Sequence, residues 1–259
     1  MPVVLVNGNP ETPVVWDLLA ERLTEAGHDE QVRLAPPGFG ASLPPDFHAT
    51  VEGYFEWLVT ELERIGEPVD LVGHDIGGSR VIHVAMRRPD LIRSWVSDTI
   101  GTFDPDYAWH ENAQIWQRSD DGVQWISAQL ALTPQQRADG LSSRGMNDAI
   151  ATKLAHAFDA QMGACILSLY RSSAQPTMAR LGADLPSAAA RPGLAILATD
   201  DPFVGTEEQR RRSAQRAGAR VHVLDGFGHW WMTQDNGQAG ATALTSFWAS
   251  LQEQHNRPA

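Results

Sequence analysis

Val69-Asp70-Leu71-Val72-Gly73-His74-Asp75-Ile76-Gly77-Gly78 is the stretch on which the fold turns. A short apolar run reads as a strand over residues 69–72, and a helical pattern follows over 79–87. Between them stands glycine-x-Asp-x-glycine. A side chain pushed out on a tight strand-to-helix turn needs strained backbone, so the residues two positions to either side must be small. The pattern spells a nucleophile elbow that presents Asp75. It also sets Asp75 at a helix N-terminus, where backbone N–H groups favour a carboxylate. A helix-capping Asp in a glycine turn would leave the same residues, so the surroundings have to decide.

Working outward, short β-branched runs alternate with helical patterns. Strands are expected over residues 3–6, 31–35, 69–72, 93–100, 194–199 and 220–224. Helices are expected over 16–26, 50–65, 79–87, 207–217 and 241–252. In the second of these, Val51, Tyr54, Phe55, Leu58, Leu62 and Ile65 recur at three- and four-residue steps, and Gly66 and Pro68 stop the run. Such alternation implies right-handed crossovers and a mostly parallel sheet. One segment breaks the rhythm. Residues 103–185 carry helical patterns, no convincing strand, and the aromatic anchors Tyr107, Trp109, Trp116, Trp125 and Tyr170. A helical insertion of this kind reads as a cap over the carboxyl ends of the sheet, where α/β ligands bind. The expected organisation is a core of residues 1–102, a helical cap of 103–185 and a second core part of 186–259, with the Ala/Pro/Gly stretch 185–193 as return linker.

At this point the chain resembles the α/β-hydrolase superfamily, specifically its aspartate-nucleophile branch of haloalkane dehalogenases, epoxide hydrolases and fluoroacetate dehalogenases. The elbow Gly73-His74-Asp75-Ile76-Gly77-Gly78 resembles that branch's elbow, with Ile76 where Trp or Arg is usual. Asn7-Gly8-Asn9-Pro10 resembles the His-Gly-Asn-Pro oxyanion loop, with Asn7 replacing His, and Pro37-Gly38-Phe39-Gly40-Ala41-Ser42 resembles the loop after the next strand. The first strand falls where the family's third strand begins, so the resemblance implies about six parallel strands rather than eight. Thr199-Asp200-Asp201-Pro202-Phe203 resembles the acid loop, with Asp201 in the acid position. Gly226-Phe227-Gly228-His229-Trp230-Trp231 resembles the catalytic-histidine loop, and the order nucleophile, acid, base is kept. Asp98, in Trp95-Val96-Ser97-Asp98-Thr99-Ile100, is a second acid candidate, because many haloalkane dehalogenases carry their acid there.

An aspartate nucleophile differs from a serine in one respect. A carboxylate is already ionised at neutral pH, so it can attack an sp³ carbon without a base. The product is an alkyl ester on Asp75, which His229 would hydrolyse by activating water, with Asp201 orienting the imidazole. The backbone N–H groups of Ile76 and Asn9 would form the oxyanion hole. Departing halide needs weakly acidic N–H donors in an apolar pocket. Asn9 matches one such donor of the family, Ile76 removes the usual second, and Trp109 is the cap candidate to replace it, with plain cap packing as its other reading. Departing epoxide oxygen needs a proton instead. Leu169-Tyr170-Arg171 resembles the Trp-Tyr-Arg cap motif of epoxide hydrolases and offers Tyr170, with Tyr107 the other cap tyrosine. The expected function is hydrolysis of a small apolar substrate, first a carbon–halogen bond. The alternatives are an epoxide hydrolase using Tyr170 and a non-catalytic hydrolase-like protein that binds a small ligand.

Composition sets the bounds. The chain has 259 residues, 42% of them hydrophobic and 20% charged, which suits a globular protein with a large core. The net charge of −12 disfavours nucleic acid and anionic membranes as partners. Arg210-Arg211-Arg212 is a local exception and reads as a solvated helix face. Apolar runs fall short of a membrane span, and the first residues lack a secretory pattern. Cys165 is the single cysteine, in an apolar stretch, so no internal disulfide is expected and a cytoplasmic location is. No metal-ligand spacing such as H-E-x-x-H occurs, and neither metal nor cofactor is expected. The expected partners are a small apolar organic substrate and water; the oligomeric state stays open.

Overall fold

The computed structural model describes residues 2–255. In chain order it holds β1 (Val3–Val6), α1 (Asp17–Glu25), β2 (Gln31–Leu34), α2 (Val51–Ile65), β3 (Val69–Gly73), α3 (Ile76–Arg87) and β4 (Ile92–Ser97). There follow α4 (Glu111–Gln117), α5 (Ser119–Ala131), α6 (Pro134–Ser142), α7 (Asp148–Ala155), α8 (Ala160–Ser172) and α9 (Thr177–Leu181). The described chain closes with β5 (Gly193–Ala198), α10 (Glu207–Arg216), β6 (Arg220–Leu224) and α11 (Gln238–His255).

The six strands form one sheet in the order β2-β1-β3-β4-β5-β6, and every neighbouring pair is parallel. Both faces are covered, which is why the central strands read as continuous apolar runs. Side chains alternate between two cores: Val4, Val6 and Leu71 enter one, and Val3, Leu5 and Val72 the other. The strand order fixes where a site can form. β1 has β2 on one side and β3 on the other, so the direction of strand addition reverses there. In open α/β sheets the crevice for ligands opens at the carboxyl ends beside such a reversal. The residues leaving those ends are Asn7-Gly8-Asn9 after β1 and His74-Asp75 after β3.

Local chemistry explains the flanking helices. The Thr50 hydroxyl accepts from the Gly53 N–H at the start of α2, and Gly66 at φ 83° ends it. α3 begins at Ile76, three residues before the start expected from periodicity. Gly77 and Gly78 are poor helix formers, but a Cβ on Gly77 would lie 2.3 Å from the Val6 carbonyl oxygen. Close packing against β1 therefore requires glycine there and carries the helix directly out of the elbow.

Between β4 and β5 no strand occurs among the described residues; α4 to α9 fill the interval, with 3-10 turns at Ile100–Phe103 and Gly182–Ala190. The stretch expected as a return linker is largely part of that second 3-10 run, which packs on α3. The arginine run on α10 departs from the solvated face expected of it. Arg211 is exposed, but Arg210 is buried and donates to the Ala198 carbonyl at 2.7 Å. Arg212 holds Asp104 and Asp106. Cys165 is buried. Among the described residues no helix is long and apolar enough to cross a membrane.

Candidate active site

Asp75 stands at φ 50° and ψ −129°, a conformation that non-glycine residues rarely adopt. Strain of this kind persists only where the surroundings over-determine it. Three hydrogen bonds do so: His74 N–H to the Val6 carbonyl at 3.1 Å, Asp75 N–H to Asp98 Oδ1 at 3.0 Å, and Thr99 Oγ1–H to the Asp75 carbonyl at 2.9 Å. Both flanking glycines are needed. A Cβ on Gly73 would lie 2.5 Å from the Gly77 carbonyl oxygen, and Gly77 meets β1 as above.

The elbow holds the Asp75 carboxyl against the loop after β1. The Asn9 N–H donates to Asp75 Oδ2 at 2.9 Å, and the Ile76 N–H lies close enough to favour the charged carboxylate. Gly8 permits the approach, since a Cβ there would lie 2.6 Å from Oδ2. Burial raises the Asp75 carboxyl above the ordinary range, and the pull of His229 and His74 offsets this only in part. Asp75 faces a cavity of about 110 Å³ together with Asn9, His229, Tyr170, Trp116 and Phe203.

His229 comes from the loop after β6 and Asp201 from the loop after β5. Asp201 Oδ2 accepts from His229 Nδ1 at 2.8 Å, while its Oδ1 accepts from the Phe203 N–H at 2.9 Å. With Nδ1 so engaged, Nε2 is the nitrogen left to act as a base. Burial opposes protonation of His229, but the Asp201 charge and hydrogen bond outweigh it and hold the imidazole above the ordinary histidine value. Burial would raise Asp201 in turn, yet the His229 charge keeps it low.

Asp98, the other acid candidate, is directed elsewhere. Its Oδ2 lies 2.5 Å from His74 Nδ1 and accepts from Trp231 Nε1–H at 2.7 Å. The second His74 nitrogen, Nε2, lies 3.0 Å from Glu11 Oε1. Glu11 also accepts from Trp230 Nε1–H at 2.6 Å and from the Gly8 N–H at 3.0 Å. His74 is fully buried, and burial alone would keep it neutral; the charges of Glu11 and Asp98 reverse this and hold it well above the ordinary value. Both ring nitrogens therefore act as donors to carboxylates. The His74 ring lies 4.5 Å from the His229 ring, between centroids. A buried cation thus sits directly behind Asp75 and His229, and it ties the Asn7–Glu11 loop to the elbow and to the end of β4.

Glu11, His74 and His229 bring three possible metal-ligand atoms within 4.8 Å of one another. The donor set does not suit a metal. A protonated imidazole has no free lone pair, and Glu11 already serves three hydrogen-bond donors.

The inserted helices supply the roof. Tyr170 on α8 is buried and its hydroxyl oxygen accepts from Asn9 Nδ2 at 3.3 Å. Burial and the nearby Asp75 charge push its phenol well above the ordinary range, so it is a neutral O–H donor. Trp109, expected to offer a free N–H, donates it to the Ser173 carbonyl at 3.3 Å and packs edge-on against Tyr170. The Tyr107 hydroxyl likewise donates to the Phe203 carbonyl at 2.7 Å. Trp116 on α4 is a tryptophan beside the cavity whose N–H is unengaged. It packs 4.6 Å from the Tyr170 ring between centroids.

Sequence reasoning therefore missed the unpartnered Trp116 N–H beside the cavity and the whole Glu11–His74–Asp98 network. Glu11 had a visible signal, an acidic residue just after Asn7-Gly8-Asn9-Pro10 and before an apolar run. His74 had one as well, a histidine between an apolar strand and Asp75. Trp116 had none, because its contact with Tyr170 spans more than fifty residues of chain.

A six-stranded parallel sheet with a strained residue on the turn after its third strand defines the fold class, and sequence comparison agrees. Residues 3–243 match the model of the alpha/beta hydrolase family, so the chain belongs to that family of hydrolases. No curated protein matches the sequence. Solved structures match it in fold. Haloalkane dehalogenase DbeA from Bradyrhizobium elkani has a TM-score of 0.67 at 17% identity, over 96% of this chain and 91% of that one. The enol-lactonase from Burkholderia xenovorans has 0.70 at 20%, over 96% and 91%. E-2-(acetamidomethylene)succinate hydrolase has 0.73 at 15%, over 96% and 92%. At these identities the likeness speaks for the fold alone.

Proposed function

We propose that this hydrolase cleaves a carbon–halogen bond in a small apolar substrate through a covalent ester on Asp75. The observation that carries this reading is the Asp75 carboxyl itself, strained outward into a cavity walled in part by Trp116, Tyr170 and Phe203 that also holds a carboxylate-paired histidine. Asp75 Oδ1, the oxygen not engaged by Asn9, attacks the substrate carbon in line. The carbon–halogen bond breaks and the halide leaves with the bonding pair. Trp116 Nε1–H and the Asn9 amide are the donors suited to receive it. In the second step His229 Nε2 takes a proton from water, and the water oxygen adds to the Asp75 carboxyl carbon. Oδ2 becomes the oxyanion, held by the N–H groups of Asn9 and Ile76. Collapse releases the alkoxide, which takes the proton back from His229 as the alcohol; the second proton of the water, left on the Asp75 carboxyl, then passes through His229 to solvent and restores the carboxylate. Residues 103–185 act as the cap that keeps this chemistry away from bulk water. We place the enzyme in the cytoplasm, in keeping with its single buried thiol.

Two predictions test the roles. His229 must be neutral to accept a proton, so turnover is lost as pH falls through its raised pKa. Asp201→Asn removes the charge that raises it and leaves burial, which lowers it. The acid limb of the pH–rate profile should move to lower pH, and kcat should fall by up to about 10⁴-fold because the imidazole loses its orienting acceptor. A limb that stays in place would assign it to another group.

The second reading is an epoxide hydrolase with Tyr170 as proton donor, favoured by the neutral phenol in the cavity. The Tyr107 hydroxyl, engaged with Phe203, offers no second phenol, and this tilts the choice toward halide. Halide release from a panel of bromoalkanes supports the first reading, and diol formation from aryl epoxides the second. Trp116→Phe should lower bromoalkane turnover by about 10²-fold, the effect of one lost donor to developing charge. If Tyr170→Phe abolishes activity on epoxides while Trp116→Phe leaves it intact, the second reading replaces the first.

A further inference from the structure

The cavity that holds Asp75 continues toward α5, α6 and α7, and its wall there includes Arg144, on the turn after α6. Arg144 is exposed, so it stands where this wall meets solvent. Its side chain is nevertheless held. Nε–H donates to the Gly140 carbonyl at 2.9 Å, and the guanidinium carbon lies 5.8 Å from the centroid of the Trp230 ring. The turn is tied to the histidine loop by one side chain. Gln234 Nε2–H donates to the Gly145 carbonyl at 3.1 Å, and Gln234 Oε1 accepts from the Gly228 N–H at 2.9 Å. Gly145 and Gly228 are the chain neighbours of Arg144 and His229, so this bridge fixes the cation relative to the base.

Among the described residues the Gly140 carbonyl is the one hydrogen-bond acceptor of Arg144, which leaves Nη1 and Nη2 without a partner. No carboxylate pairs with it, although acidic residues outnumber basic ones by 32 to 20 in the chain. Desolvation lowers the guanidinium from its ordinary value, and no neighbouring charge offsets this. Arg137, the other cation on the same wall, differs. Its Nε and Nη1 donate to the carbonyls of Ala155, Gln129 and Leu132, and so fasten α5 to α7. A guanidinium anchored through Nε presents its Nη1–Nη2 edge, and such planar pairs of N–H groups match a carboxylate. One cation balances a monoanion. The charge of Asp75 repels an anion at the reacting carbon, so the anionic group belongs at the opposite end of the substrate.

We propose that Arg144 binds the carboxylate of an amphiphilic substrate, an alkyl chain with its reacting carbon against Asp75 and a carboxylate at its far end. This refines the apolar substrate proposed above. Which end reacts rests on that reading; the binding of a carboxylate at Arg144 does not. The test therefore uses ligands that cannot react.

The probes are hexanoate and octanoate, each compared with the alcohol of the same length. Emission of Trp116, Trp125 and Trp230, which line the cavity, reads the Kd. Wild-type enzyme should bind an alkanoate about 10-fold more tightly than its alcohol, the gain of one charge-assisted pair near solvent. Added salt should narrow the difference. Arg144→Gln should weaken the alkanoate about 10-fold and leave the alcohol unchanged, and Arg144→Lys should keep part of the preference as a point charge without the planar edge. If Arg144→Gln does not fold, the wild-type comparison and Arg144→Lys decide. Alkanoates that bind no better than alcohols at either length overturn the proposal. So does a preference that survives in Arg144→Gln, and so does equal weakening of both ligands, which would make Arg144 only part of the cavity wall. Failure of the ester chemistry would show in halide release and leave these affinities as they are.

Discussion

His229→Ala should stop turnover while leaving the first chemical step in place. The carboxylate of Asp75 needs no base to attack carbon, whereas water needs His229 to attack the ester. The variant should release about one equivalent of halide per enzyme in a burst and then stall, with steady-state kcat lowered by about 10⁴-fold or more. Rapid-quench halide measurement reads the burst, and intact-protein mass reads the trapped alkyl group. Asp75→Asn should show neither burst nor adduct. A His229→Ala enzyme that loses the burst together with turnover would mean that the imidazole acts before the halide leaves. That outcome removes the ester from the mechanism and points to water activated directly on the substrate.

His74→Ala should be among the most destabilising single changes in the protein, by about 3–5 kcal/mol, because it leaves two buried carboxylates facing each other without their shared cation. Glu11 and Asp98 bond to opposite nitrogens of the same ring, so one truncation breaks both pairs. The pH dependence follows from the shifts. His74 is raised, so its contribution is fully present below about pH 6.5 and is lost as pH rises through its folded value. For Glu11, burial raises the carboxyl, but His74 and His229 hold it below its ordinary value; its contribution is present above that value and lost as pH falls through the folded one. The pair therefore stabilises the wild type across the neutral range. In His74→Ala, Glu11 keeps the burial that raises its carboxyl and loses the His74 charge that lowers it, so the variant should gain stability as pH is lowered from 7 toward 5. Urea unfolding at several pH values measures this. A loss under about 1 kcal/mol, flat with pH, would show that the network is solvated and not a buried ion cluster.

Much of the frame was legible because it rests on local signals. The strands at Val3–Val6 and Arg220–Leu224 are bounded by turn residues, and Gly73 and Gly77 betray the close approaches that only glycine allows. His229 and Asp201 were legible from their loops and their order. What escaped depends on packing between distant segments. The role of Asp98 is one such case: Asp201 pairs with His229 as its loop suggested, but that Asp98 instead bonds to the buried His74 ring shows only in the packed structure. Trp109 and Trp116 both lie in the inserted segment, and only the placement of α4 against α8 makes the first a packing residue bonded to Ser173 and the second a cavity-lining residue whose buried indole N–H has no partner. Arg80 gave no signal at all: on α3 it reads as an ordinary polar position, and its burial under the Tyr54 ring of α2 shows only in the packed structure.

One turnover in water enriched with heavy oxygen tests the central claim most directly. If water attacks an Asp75 ester, its oxygen enters the Asp75 carboxyl, and the alcohol keeps the oxygen that the aspartate already carried. Digestion and mass spectrometry of wild-type enzyme after a single turnover should then find the label in the peptide containing Asp75 and none in the product. Label in the alcohol with an unlabelled Asp75 would contradict the account, since water would then have attacked the substrate itself.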